Sequence, residues 1–196
     1  NEVLAWGERK DSLLSAIPDF ITRSTFPAAS LSKIVTAAAA LESDQYTNSS
    51  QLPQIGRTVT LYRRQVTPPK NYRGHTVSLE KAFSLSMNPA FAVLGARVGA
   101  ERMYTAAEKL GFNKTYPNNI PHRSEFLQID SGYALKEAAS GFTELNTISP
   151  LQAAGIARSI LYSKPFELPW SDELAGYIHH KPINMNVPAF SDKTYA

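Results

Sequence analysis

The sequence predicts a single α+β domain, with a strand near its start, a largely helical body and a strand at its end. The segment Glu2–Trp6 is short and apolar and is followed by Gly7, which suits a buried strand ending in a turn. In several later segments apolar residues recur every three or four positions, as in helices. Because strands and helices do not alternate regularly, we expect the two ends to meet in one sheet rather than in a parallel winding.

The composition fits one compact unit and excludes several classes of function. The chain has 196 residues and 43% hydrophobic content, no linker or repeat divides residues 1–196, and the formal net charge is only +3. The densest basic stretch, residues 62–73, is interrupted by Pro68 and Pro69, so we interpret it as a solvated loop and expect no nucleic-acid partner. The longest apolar stretch, Ile34–Leu41, is far shorter than the roughly 20 residues of a membrane span.

Metal and thiol chemistry are not expected. The chain contains no cysteine, which excludes disulfides, thiol catalysis and cysteine-bound metals. The histidines show no metal-ligand spacing beyond one adjacent pair, so we predict surface or loop positions for them and no cofactor; they are His75, His122, His179 and His180.

The first helix is predicted to begin at Ser30. Apolar residues recur after it at helical spacing in an alanine-rich segment; these are Leu31, Ile34, Val35, Ala38 and Leu41. The polar segment 42–72 is rich in Ser, Asn, Gln and Pro, which favours a loop with at most a short strand over 58–62.

Capping residues delimit the later helices. One helix should begin at Ser78 and end before Pro89, and the next should run over 89–98 with Gly99 beyond its end. A third is predicted over 101–110, closed by Gly111, and a last one starts at Ser149-Pro150.

Ser30 and Lys33 are the strongest candidates for chemistry. At a spacing of i and i+3 on a helix, both side chains lie on the same face. A lysine removes a serine proton only if burial or a neighbouring cation lowers the pKa of the amine, and the apolar neighbours of Lys33 favour such desolvation. The four-residue pattern alone is a weak signal, because it is more often found with a solvated lysine on an ordinary helix.

Two further motifs follow in a recognisable order. Ser86-Met87-Asn88 places a second hydroxyl and an amide before Pro89, where the same residue types also serve to cap a helix. Near the end stands Lys193-Thr194. Together with Ser30 and Lys33, they resemble the S-x-x-K, S-x-N and K-T-G motifs of penicillin-binding proteins, in the superfamily of serine β-lactamases and D-Ala-D-Ala peptidases.

The resemblance spans nearly the whole chain and implies a fold and an activity. The fold is the β-lactamase/transpeptidase-like type, an antiparallel sheet flanked by helices beside an all-helical region, and we expect its last strands to be missing here. The implied activity is peptidoglycan D-alanyl-D-alanine transpeptidation through a serine acyl-enzyme, with stem peptides and β-lactam antibiotics as partners. The implied location is the periplasm or the outer face of the inner membrane.

The resemblance also assigns a role to each motif residue. Ser30 is the implied nucleophile, Lys33 its base, Ser86 the proton relay, and Asn88 orients Lys33 and the substrate amide. Lys193 and Thr194 are implied to bind the substrate carboxylate on a strand. The backbone N–H groups of Ser30 and Ala196 are implied to form the oxyanion hole.

Two departures keep other functions open. Tyr195 replaces the glycine of K-T-G, and its ring would occupy substrate space on a strand, which favours a non-catalytic scaffold or ligand-binding module. Residues 144–146 weakly resemble the deacylating loop of class A β-lactamases, but Phe142 stands where those enzymes have their general base. A β-lactamase is therefore disfavoured.

Overall fold

The computed structural model describes residues 26–114, 124–167 and 190–195. Within these ranges the chain has a mixed architecture, in which helices predominate and the strands form small antiparallel ladders. The helices are α1 Ser32–Glu42, α2 Leu79–Ser84, α3 Asn88–Val98, α4 Ala100–Lys109, α5 Gly132–Ser140, α6 Pro150–Tyr162 and α7 Asp192–Tyr195. The strands are β1 Phe26–Pro27, β2 Gln51–Pro53, β3 Thr76–Ser78 and β4 Thr147–Ile148, and 3₁₀ turns occupy Ala29–Leu31 and Arg63–Gln65.

Two antiparallel pairs fix the segments on either side of α1. Strand β1 pairs with β4, with Phe26 opposite Ile148, and β2 pairs with β3, with Leu52 opposite Val77. Both pairs join residues that are distant in sequence or separated by a long loop. The chain is therefore held at β1, immediately before Ser30, and again shortly after α1 ends.

Helix α1 lies at the centre of the described fold. It packs against α3, α4 and α5, and its alanine-rich face is buried together with Val35. Small side chains allow neighbouring helices to approach closely, so α1 is enclosed along most of its length. Lys33 and Thr36 are also buried on this helix, which is unusual for polar side chains.

Close contacts lock α5 against its neighbours. The Thr36 hydroxyl donates to the Ala139 carbonyl at 2.9 Å, which joins α1 to α5. A Cβ on Gly95 of α3 would lie 2.1 Å from the Ala139 Cβ, so only a glycine permits this approach of α3 to α5. Helix α5 is thus held by packing on two sides.

The helices predicted from capping residues are confirmed. The Ser78 side chain accepts a hydrogen bond from the Lys81 amide at 3.2 Å, and the Ser149 side chain accepts one from the Gln152 amide at 3.1 Å. Proline lies in the first turn of both α3 and α6, where its missing N–H costs nothing. Gly99 ends α3, as predicted.

Several other predictions are wrong. The segment 58–62 is part of the loop, but the prediction missed strand β2 inside the segment 42–72 and its partner β3. Helix α5 was not predicted, although Leu135, Ala138 and Ala139 have helical spacing and Gly141 follows its last turn in a left-handed conformation. The predicted C-terminal strand is instead the short helix α7, so the expected sheet joining the two ends does not form there. The predicted strand Glu2–Trp6 lies outside the described residues.

In the described ranges, no helix combines the length and the apolar character that crossing a bilayer demands.

Candidate active site

Ser30 lies in the 3₁₀ turn that leads into α1, with its side chain exposed. A backbone hydrogen bond anchors the residue that precedes the turn, because the buried Ala28 donates its N–H to the Asn146 carbonyl at 2.6 Å. Ala29 has φ of 45°, a left-handed value that costs a non-glycine residue about 1–2 kcal/mol. The backbone is thus strained at the residue before the candidate nucleophile.

Lys33 directs its amine to Ser30. The Lys33 Nζ lies 3.0 Å from the Ser30 Oγ, as expected for side chains separated by one helical turn. Lys33 is only 2% exposed, and no carboxylate of the described residues forms an ion pair with it. Burial lowers the pKa of Lys33 from 10.5 to about 8, because desolvation disfavours the ammonium form. At pH 7 about a tenth of such an amine is neutral and able to accept a proton.

Ser86 brings a second hydroxyl to the same point. Its Oγ lies 3.0 Å from the Ser30 Oγ, and the residue occupies the short connection between α2 and α3. Its φ of 49° is left-handed, so a second strained non-glycine residue adjoins the candidate nucleophile. Ser30 therefore has a buried amine and a half-buried hydroxyl within hydrogen-bond distance.

Asn88 has different contacts from those expected. Its side-chain Nδ2 donates to the Val59 carbonyl at 2.9 Å, and its backbone N–H donates to the Thr58 carbonyl at 2.8 Å. No hydrogen bond to Lys33 is formed within the described residues, so the expected orientation of Lys33 by Asn88 is not seen. Asn88 instead holds the loop over 57–62 beside Ser86.

That loop is fixed by residues that the sequence did not single out. The buried Gln65 side chain accepts from the Tyr62 N–H at 2.8 Å and donates to the Ile55 and Arg57 carbonyls at 2.9 and 3.0 Å. Tyr133 and Lys136, both on α5, donate to the Leu61 and Val66 carbonyls. All but one of these bonds end on a backbone carbonyl, and no sequence pattern identifies which carbonyl a side chain will meet.

Lys193 and Thr194 lie elsewhere. On helix α7, Lys193 forms an ion pair with Asp44, and the Thr194 hydroxyl donates to Glu42 Oε1 at 2.7 Å. Glu42 ends α1, roughly 18 Å along the helix from Ser30 at about 1.5 Å per residue. The structure therefore does not bring these two residues to Ser30.

Glu42 binds the C-terminal segment at the far end of α1. Its carboxylate also accepts from the backbone N–H of Ser191 at 2.9 Å, and Lys109 of α4 donates to it at 2.8 Å. Tyr195 lies in the same segment, where its ring packs on Phe190 and its hydroxyl donates to the Lys164 carbonyl at 2.8 Å. Ala196, the other expected oxyanion-hole residue, lies outside the described residues.

No metal centre is found in the parts of the chain that the structure describes, where no three His, Asp or Glu side chains converge. His75 is exposed, and the other three histidines lie outside those parts. The groups that meet at Ser30 are two hydroxyls and one partly neutral amine. Such a set suits nucleophilic attack on a carbonyl, in which the amine takes the hydroxyl proton.

The fold and the meeting of Ser30, Lys33 and Ser86 are typical of the penicillin-binding class of proteins. The family model described as "Penicillin binding protein transpeptidase domain" matches residues 1–196, so the chain belongs to that family. Similar curated proteins are the peptidoglycan D,D-transpeptidases PbpA of Mycolicibacterium smegmatis, 30% identical over 165 residues, and of Mycobacterium tuberculosis, 32% identical over 174 residues. Each alignment covers 80% of this chain, which spans about a third (33%) of each relative's length.

Solved structures of penicillin-binding protein A from M. tuberculosis share the fold. The penicillin G acyl-enzyme complex is 27% identical with a TM-score of 0.61, covering 91% of this chain and 42% of that one. The imipenem acyl-enzyme complex is 32% identical with a TM-score of 0.55, covering 70% of this chain and 32% of that one. The predicted family and fold class are thereby confirmed.

Glu42 generates a prediction about acid stability. Its partial burial opposes ionisation, but hydrogen bonds from Lys109, Ser191 and Thr194 outweigh that effect and lower the pKa of Glu42 from 4.5 to about 2. A lowered carboxyl pKa contributes stability that is fully present above pH 4.5 and is lost as the pH falls towards 2. Glu42→Gln is therefore expected to lower the free energy of unfolding at pH 6, and the difference from wild type should shrink by pH 2.5.

Urea unfolding at the two pH values measures this difference. Glu144→Gln, at an exposed position, is the control and should change the stability little at either pH. A Glu42→Gln effect that is the same at both pH values would contradict the proposed hydrogen-bonded carboxylate.

Proposed function

We propose that this chain belongs to a peptidoglycan D,D-transpeptidase that works through an acyl-enzyme on Ser30, and that β-lactams acylate the same hydroxyl. The observation that carries the proposal is the convergence on the Ser30 Oγ of Lys33 Nζ and Ser86 Oγ, each at 3.0 Å. Family membership supports it, and so do the acyl-enzyme complexes of the M. tuberculosis relative.

Acylation begins with proton transfer from the Ser30 hydroxyl to the neutral amine of Lys33. The Ser30 oxygen then forms a bond to the carbonyl carbon of the penultimate D-alanine of a stem peptide, and the carbonyl electron pair moves onto its oxygen. The Ser30 N–H at the mouth of α1 is a donor for this oxyanion, and the positive end of the helix dipole adds to its stabilisation.

Collapse of the tetrahedral intermediate breaks the bond to the terminal D-alanine. The leaving nitrogen needs a proton. In the proposed step the Ser86 hydroxyl gives its proton to that nitrogen, and the Lys33 ammonium returns a proton to Ser86. The amine of a second stem peptide then attacks the ester carbonyl and gives a proton to Lys33, and the ester bond breaks as the Ser30 oxygen takes that proton back. A β-lactam follows the same acylation step, but its leaving nitrogen stays attached to the ring-opened product, so the ester persists.

The remaining motif residues take different parts in this proposal. Asn88 acts by fixing the loop over 57–62 beside Ser86, through its bond to the Val59 carbonyl. In the arrangement described, Lys193 and Thr194 bind Asp44 and Glu42, and neither is assigned a substrate contact.

We further propose that residues 1–196 form one domain and that the domain works on the extracytoplasmic side of the bacterial inner membrane. The family match over 1–196 supports the first point. The second follows from the substrate, because peptidoglycan stem peptides are joined outside the cytoplasm.

A second function is favoured by one observation. Because Lys193 and Thr194 are bound far from Ser30, the chain would lack one expected wall of the substrate site and would serve as a non-catalytic scaffold or binding module. Rapid β-lactam hydrolysis is a third outcome, opposed by Phe142, an exposed aromatic residue at the sequence position that resembles the deacylating carboxylate of class A β-lactamases.

The 196-residue chain is expected to form a stable covalent adduct with a fluorescent penicillin, detected in a denaturing gel and located on Ser30 by mass spectrometry. Ser30→Ala should abolish labelling, while Ser49→Ala, which changes an exposed loop serine, should not. No adduct on the folded wild-type chain would support the scaffold, and an adduct that disappears within minutes would support a β-lactamase. Labelling that survives Ser30→Ala would refute the nucleophile.

Lys33→Ala should slow acylation by about a hundredfold or more, which is the usual loss when a general base is removed. Lys81→Ala removes an exposed lysine of α2 and serves as the matched control, with an unchanged rate. Equal rates for the two variants, both folded by circular dichroism, would remove Lys33 from the mechanism.

A further inference from the structure

The turn that carries Ser30 meets the C-terminal end of α5 at Gly141. A Cβ built on Gly141 would lie 1.8 Å from the Ala29 carbonyl oxygen, 2.4 Å from its carbonyl carbon and 3.1 Å from the Ser30 nitrogen. Gly141 therefore contacts the Ala29–Ser30 peptide group directly, at the amide that precedes the nucleophile. No side chain fits between the two backbones.

We propose that Gly141 is a positioning residue for Ser30. Because it has no side chain, the end of α5 can contact the strained Ala29–Ser30 peptide and hold it in one orientation. That orientation sets the direction of the Ser30 hydroxyl and N–H. This inference rests on the proposed function, because it concerns the same acylation. It adds a residue that makes no hydrogen bond to Ser30 and belongs to none of the three sequence motifs.

The end of α5 cannot withdraw from this contact. The Gly141 N–H bonds to the Ala138 carbonyl at 3.2 Å, and the Phe142 N–H bonds to the Glu137 carbonyl at 2.8 Å. Two residues earlier, Ala139 is held by the Thr36 hydroxyl and by close packing on Gly95. The C-terminal end of α5 is thus held more firmly than the Ser30 turn that it contacts.

The Ser30 turn is the segment of the two that is displaced more easily. Ala29, Ser30 and Leu31 are all exposed, and none of them lies in the buried core. Ala29 already has an unfavourable φ of 45°, and a strained conformation persists only when its surroundings enforce it. A side chain at position 141 would therefore displace the Ser30 peptide rather than α5.

Displacement of Ser30 would separate it from partners that stay in place. Lys33 is buried in α1 and Ser86 is fixed between α2 and α3, so a shift of Ser30 lengthens both 3.0 Å contacts. A misplacement of about 1 Å at a reacting group costs about a hundredfold in rate. The shift moves the reacting hydroxyl and leaves Lys33, Ser86 and the loop over 57–62 in place, so non-covalent binding should change far less than the chemical step.

The chain offers a matched control at the other end of the same helix. Gly132 has φ of 79° and Gly141 has φ of 74°, so an alanine is similarly strained at both positions. A Cβ on Gly132 meets no atom within 4 Å. Gly132→Ala thus reproduces the backbone strain of Gly141→Ala without its contact on the Ser30 peptide.

Stopped-flow acylation by a fluorescent penicillin separates the non-covalent dissociation constant from the acylation rate constant. Gly141→Ala is expected to lower the rate constant about a hundredfold relative to Gly132→Ala, with dissociation constants that agree within about threefold. Thermal unfolding of both variants records the shared cost of backbone strain.

If Gly141→Ala does not fold, the double variant Ala29→Gly/Gly141→Ala replaces it. Glycine adopts many φ values at little cost, so the turn can move aside and the chain can fold. The rate constant should still be about a hundredfold below that of Ala29→Gly alone.

The inference is overturned if Gly141→Ala, or the double variant, acylates within threefold of its control. A folded wild-type chain that forms no Ser30 adduct refutes the proposed function itself, and this inference with it. An active wild type with equal variants refutes the positioning role alone.

Discussion

The site depends on a lysine amine removed from water and placed 3.0 Å from a serine hydroxyl. In water an amine is protonated at neutral pH and cannot act as a base, so the proposed mechanism requires the burial of Lys33 to make Ser30 a usable nucleophile. Burying a lysine costs free energy, and the packing of the alanine-rich helix α1 against its neighbours offsets that cost. The strained residues Ala29 and Ser86 add to the cost, which is typical of functional sites.

Much of the helical architecture is predictable because helix ends are encoded locally. Ser78 and Ser149 cap α2 and α6, and proline in the first turn marks the beginning of α3 and α6. The errors arise where tertiary contacts decide the structure. Strands β2 and β3 are each three residues long and exist through their mutual pairing, and α7 forms where Glu42 collects the donors of the C-terminal segment.

The site, like the helices, is predictable from the sequence only where its contacts are local. Ser30 and Lys33 meet because they lie one turn apart on the same chain segment, a local relation. The contact of Ser86 with Ser30 spans 56 residues and was inferred from family resemblance, not from spacing. The placement of Asn88 on the Val59 carbonyl and of Gly141 on the Ala29–Ser30 peptide depends on how distant backbones meet, and no pattern in the sequence encodes that geometry.

The most direct test of this account is the titration of the Lys33 amine by NMR, with lysine labelled with ¹³C at Cε. The signal of Lys33 is assigned by its loss in Lys33→Arg, and its midpoint is compared with those of the exposed lysines. We predict that the titration of the Lys33 amine has its midpoint near pH 8. A midpoint near 10.5, the ordinary value for lysine, would mean that the amine is solvated and protonated in the working range, and would contradict its role as the base.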